Sequence, residues 1–168
     1  KLRPLLFKRY VGKNIMKHSL LFGLLCSPVG IGVGIILRIN DWGVASGDGY
    51  GLGFISSAGI AAFLAPCFIW YIMIERRKRI SVSRGITVGV LGAALAHFVC
   101  WYLLLLSSYI KHLYLGKLIE NVIDPLLGIL AALTYSLVSL PLFGLLTLPI
   151  GGLIGGICGR IFKKEESV

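Results

Sequence analysis

Carboxylates are scarce in this sequence: seven Asp and Glu stand among 168 residues, and none lies inside a long apolar run. A buried proton relay, or a paired general acid and base, needs such a group within reach. Neither is expected here. Histidine is rarer still, and the three present form no HExxH or other clustered ligand pattern for a metal. The four cysteines, Cys26, Cys67, Cys100 and Cys158, make no CxxC pair. That excludes a zinc ribbon or a thioredoxin-like redox pair, and each is read as a small buried hydrophobe. Cys26 and Cys67 fall at similar depth and are candidate neighbours. Charged residues of both signs reach only 14%, against 57% hydrophobic, which excludes a soluble globular domain. The glycine-rich segments lie within apolar stretches, so they read as packing faces and not as phosphate cradles. No cofactor, no metal and no catalytic activity are expected.

What is abundant is uninterrupted apolar sequence. Long runs cover about 19–39, 52–74, 86–110 and 126–162, joined by short polar links. A hydrocarbon core about 30 Å thick takes ~20 apolar residues per helix, so these runs predict an all-α integral membrane protein with four crossings. The whole chain, 1–168, reads as one membrane domain. Residues 1–18 form a basic N-terminal segment that orients the first helix. Lys1 is not an initiator methionine, so residues upstream are expected; the 19–39 run shows no cleavable signal site.

Charge fixes the expected topology. When alternate links are assigned to opposite faces, all of the 17 Lys and Arg except Arg38, Lys111 and Lys117 fall on one face. Lys and Arg mark the cytoplasmic side, and carboxylates contribute little. Both termini are therefore expected in the cytoplasm. Arg76, Arg77, Lys78, Arg79 and Arg84 form the densest part of this basic face. Its expected partners are anionic lipid headgroups, with an acidic cytoplasmic protein as the alternative. Nucleic acid is not expected, because no folded polar platform presents the charge. The expected setting is a bacterial inner membrane, with an organellar inner membrane as the alternative.

Within the crossings, Pro28 and Pro66 lie at nearly equal depth and each frees a backbone carbonyl. Gly85, Gly89, Ala93 and His97 recur every four residues, so His97 continues a stripe of small residues and faces protein, not lipid. It is the candidate intramembrane functional residue. Lys117, Glu120, Asn121 and Asp124 oppose Leu115, Leu118, Ile119, Val122 and Ile123, which predicts an amphipathic helix over 111–124 in the outer interface. Asp124-Pro125 reads as an N-cap followed by the first helical residue.

The last run is too long for one crossing: 37 residues make roughly 55 Å of helix at 1.5 Å per residue. Pro141 and Pro149 offer break points. The expectation is that 126–140 is re-entrant or lies in the outer leaflet and that 141–162 crosses; a single kinked helix is the alternative. Gly151, Gly155 and Gly159 form a ridge that bares backbone for close approach, and Gly30 and Gly34 form a similar face. These faces are expected to pack the chain into a homo-oligomer or a larger membrane complex. A short similarity between Leu21–Pro28 and Leu142–Pro149 does not relate the helices that an inverted repeat would relate. Gly49-Tyr50-Gly51 lacks the preceding residues of a potassium filter and the room for a pore helix. The chain is thus expected to be a non-catalytic membrane module. A small oligomeric channel or transporter with a cavity near Pro28, Pro66 and His97 is the alternative.

Overall fold

The computed structural model describes residues 3–40, 51–77, 80–115 and 123–166. The elements are α1 (Arg3–Ile39), α2 (Gly51–Trp70), a π-helical turn at Tyr71–Glu75, α3 (Val82–Leu115), α4 (Pro125–Ser139), a second π-helical turn at Leu140–Gly144, and α5 (Leu145–Glu166). Four helices are long and apolar enough to span a membrane: Lys17–Ile39, Leu52–Glu75, Val82–Tyr114 and Pro125–Lys164. The chain is a multi-pass membrane protein. Large aliphatic side chains cover its outer surface, among them Leu52, Leu126, Leu142 and Leu145. In water such a surface would be an aggregation site; against lipid it is the expected lining.

The segment 126–140 is helix that runs into the next element without reversal, through the turn at 140–144. Pro125–Lys164 as a whole forms one of the four apolar spans. Residues 111–115, expected to begin a separate interfacial helix, instead extend α3, and 116–122 lie outside the described residues. Asp124 occupies the N-cap position and Pro125 the first helical one, but the Asp124 side chain makes no capping hydrogen bond. Its carbonyl accepts from Gly128 N–H at 2.7 Å and so closes the first turn by itself. At α3, by contrast, Ser81 Oγ does accept from Arg84 N–H, at 3.3 Å.

Neighbouring helices follow chain order: α1 packs on α2, α2 on α3, and α3 on both α4 and α5. The ring closes between α1 and α5 at one end only, and α1 does not pack against α4. That closed end carries Arg76, Arg77, Arg160, Lys163 and Lys164, all exposed, and is called the basic end. Its core joins Phe22, Cys26, Trp70, Ile74, Val88, Cys158 and Phe162. Trp70 lies between two phenylalanines, with ring centroids 4.5 Å from Phe22 and 5.5 Å from Phe162. A second cluster, Leu37, Phe54, Ala58 and Leu104, holds the opposite end. Cys26 shares the basic-end cluster with Cys158, while Cys67 abuts Gly23 on the same α1–α2 seam; all four cysteines are free.

Candidate functional site

The glycine faces are consumed inside the chain. A Cβ placed on Gly85 would fall on the carbonyl oxygen of Gly155, and one on Gly155 would fall on that of Gly85. Gly89 and Gly151 stand in the same relation one turn further along, and a Cβ on Gly151 would also lie 2.9 Å from Ala93 Cβ. Gly159 meets the Ser81 carbonyl. Gly30 and Gly34 pack not on this ridge but on α2, against Ala58, Ala62 and Ile55. Each of these seven glycines therefore packs against a neighbouring helix of its own chain. Helices without side chains between them bring backbone dipoles and dispersion contacts close, which is the main attraction available in lipid. Gly32 and Gly53 differ, with open space where a Cβ would stand.

The α3 stripe continues from glycine into chemistry. Gly85, Gly89 and Ala93 all meet α5, and the next position, His97, meets two hydroxyls. His97 Nδ1 lies 3.0 Å from Ser139 Oγ, and Nε2 lies 2.9 Å from Thr147 Oγ1. Trp101 Nε1–H donates to Ser139 Oγ at 3.2 Å. Ser139 and Thr147 are eight residues apart, which in an ideal α-helix leaves them about 80° out of line. The π-helical turn between them takes up that excess and points both hydroxyls at one imidazole. Pro141 sits inside this turn, where the α-helical hydrogen bond it cannot donate is already missing.

A proton count sharpens the picture. Ser139 Oγ is also 3.1 Å from Ser136 O, and Thr147 Oγ1 is 3.1 Å from Phe143 O. These five contacts share four hydrogens when the imidazole is neutral: one each from Trp101, Ser139, Thr147 and His97. One contact must go unmade. Ser136 O and Phe143 O each receive a backbone N–H as well, from Leu140 and Leu145. Either hydroxyl can therefore turn to the histidine without leaving a bare carbonyl.

This cluster borders a cavity of about 110 Å³ at the centre of the bundle. All four spans line it: Val29, Gly30 and Val33 from the first, Ala58, Ala62 and Pro66 from the second, Ala93, Ala96 and His97 from the third, Phe143 and Ile150 from the last. Pro66 is buried and seats against Gly92, where a Cβ would lie 2.9 Å from Pro66 Cα. Pro28 does not take part. Its neighbours Val29 and Gly30 lie on the inward stripe, and it is exposed on the opposite side.

Glu75, the residue just past the second apolar run, is only 8% exposed. Five residues past Trp70, an ideal α-helix would point it about 140° away from the indole. The π-helical turn, closed by Arg76 N–H to Tyr71 O at 2.9 Å, brings it back to the Trp70 face. There Glu75 Oε1 accepts from Ser19 N–H on α1 at 2.8 Å. Among the described residues nothing hydrogen-bonds Glu75 Oε2 or the buried indole nitrogen of Trp70. Glu75→Gln keeps the acceptor for Ser19, and its stability in detergent is expected to stay within about 1 kcal/mol of the parent; Glu75→Leu removes the acceptor and costs about 1–3 kcal/mol. Equal melting of the two variants would show that this bond contributes nothing.

Of the basic residues, Arg76 and Arg77 are exposed and Arg84 is half-buried, while Lys78 and Arg79 lie outside the described residues. Among the described residues no three His, Cys, Asp or Glu side chains converge as a metal site. What this centre can do chemically is hold a neutral hydrogen-bonding group in an apolar chamber. Comparison with protein-family models, curated proteins and solved structures finds no match, so the reading of function rests on these residues alone.

Proposed function

We propose that this chain is a non-catalytic integral membrane module. Its basic end faces the cytoplasm, where it meets anionic lipid or an acidic partner, and its lipid-facing helices join a homo-oligomer or a larger membrane complex. The observation that supports it most is the setting of His97. Its two ring nitrogens are met by hydroxyls and not by a carboxylate, an arrangement suited to locking α3 against the last span. A relay or nucleophile would need an acid to orient and recharge the ring. Because the glycine ridges are occupied internally, assembly falls to the faces that bear the uncovered Gly32 and Gly53.

The cavity favours a second reading, a small channel or transporter that uses Pro66 and His97. The aromatic cluster of Phe22, Trp70 and Phe162 lies across the basic end of any such path, and would have to part for passage. Reconstitution distinguishes the two. Proteoliposomes of the parent and of His97→Ala are expected to pass protons and monovalent ions no faster than empty vesicles. In native-like nanodiscs the parent is expected as an assembly, and Gly32→Leu as a folded monomer. Flux that disappears with His97→Ala overturns the module in favour of the conduit. A parent that is monomeric, with no co-purifying subunit, overturns the assembly.

A further inference from the structure

The central chamber has a shape, an entrance and a hydrogen deficit, and together these describe a ligand. Its lining on α1 runs from Cys26 to Leu37 and on α3 from Gly89 to Trp101. Eleven or twelve residues at 1.5 Å each make a length of about 16–18 Å. A volume of about 110 Å³ over that length is a narrow slot, with room for one chain and not for a fused ring system. Toward the basic end the walls are hydrocarbon and backbone: Gly30, Ala62, Gly89, Gly151 and Ile154. The polar groups gather at one level, His97, Trp101, Ser139 and Thr147.

The entrance is lateral. The basic end is shut by the Phe22–Trp70–Phe162 cluster. Among the described residues α1 and α4 do not pack against each other, and on that side the chamber is bounded by the side chains of Val33, Leu37 and Phe143. That side faces the hydrocarbon of the bilayer, so what enters comes from the membrane. A phospholipid tail entering there would bring only methylene groups to the polar level, because its headgroup stays at the interface.

We propose that the chamber binds a single-chain, long-chain alcohol, with its hydroxyl at His97, Ser139 and Thr147 and its chain along the Gly30–Gly89–Gly151 wall. The hydroxyl brings its own hydrogen to the bond it makes, so binding takes none of the four that the five contacts already share. An ester, ether or ketone would add an acceptor to a cluster already short of donors. A carboxylate would arrive with a charge and no described cation at that level to meet it.

The test is photolabelling in nanodiscs with an alkyl diazirine carrying a terminal alcohol, with the same chain as its methyl ether, and with a diazirine-tailed phosphatidylcholine. The alcohol is expected to label peptides of α1 and α3 that line the chamber at least fivefold more than the ether does, and unlabelled long-chain alcohol should compete. Ala96→Leu and Val33→Phe, which fill the slot from opposite walls, should each remove that labelling. Leu145→Phe, on the lipid-facing surface, should leave it intact. Thermal unfolding of each variant identifies any that fail to fold, and the two filling variants serve as each other's replacement. Labelling that is equal for alcohol and ether, or that survives a folded filling variant, overturns the proposal. Chamber labelling by the phosphatidylcholine probe alone also overturns it, in favour of a bilayer tail.

Discussion

Gly85→Ala or Gly155→Ala should each make this protein markedly easier to unfold, whereas Gly32→Ala should leave it as stable or more so. At Gly85 and Gly155 the new Cβ would stand far inside contact distance of a carbonyl oxygen of the facing helix, and backbone cannot rotate aside as a side chain can. The helices must separate over the whole ridge, because Gly89 and Gly151 are in contact one turn away. Overpacking of this kind costs about 1–3 kcal/mol, and the loss of close contact along several turns pushes toward the upper end. At Gly32 the space is open, and alanine gains up to about 1 kcal/mol by restricting the unfolded chain. Reversible unfolding in bicelles, with the three variants side by side, checks the sign as well as the size. Similar values at Gly32 and Gly155 would mean that the α3–α5 seam is not what holds the bundle.

The second large effect concerns register. Inserting one alanine after Leu142 is expected to abolish the fold, while deleting Leu142 is expected to be tolerated. The π-helical turn at 140–144 already accommodates an extra residue, and Leu142 projects from it, 67% exposed. Deletion returns the turn to an ordinary α-helical path and keeps Ser139 and Thr147 within about 20° of one another. Insertion rotates everything beyond it by about 100°, carrying Thr147 and the ridge of Gly151 and Gly155 away from α3. Yield of monodisperse protein gives the first answer. The imidazole nitrogen shifts of His97 give the second, because they report its bonds to Ser139 and Thr147 directly. Equal tolerance of insertion and deletion would show that the ridge finds α3 in more than one register.

These two cases also separate what the residue pattern carries from what only the folded chain decides. Long apolar runs translate into helices almost without competition, because lipid leaves the backbone no other way to satisfy its hydrogen bonds. The inward direction of His97 was legible too, since Gly85, Gly89 and Ala93 lead to it at constant spacing. The partners of that stripe were not. Glycine ridges state that something comes close and carry no address for it, so Gly151–Gly159 could have met α1, another copy, or α3. Periodicity also assumes a constant turn. Two π-helical turns break that assumption, and those are the places where Glu75 and the Ser139–Thr147 pair acquired neighbours that spacing alone denies them. Pro141 was visible as a break point, but not that the break would realign two hydroxyls. Of the interfacial helix expected over 111–124, Lys111–Leu115 prolongs α3, and 116–122 lie outside the described residues.

The distance in sequence between His97 and its partners has a consequence for how the chain is made. Ser139 and Thr147 follow it by 42 and 50 residues. At a synthesis rate of about 5–20 residues per second, α3 waits on the order of 2–10 s for the helix that covers it. During that wait α1 and α2 can already close on each other through Gly30 and Gly34, while the bare backbone of Gly85 and Gly89 and an unmet imidazole face the lipid. The nascent bundle is therefore most open to capture, by insertion machinery or by a wrong helix, at the stage just before its last span is translated.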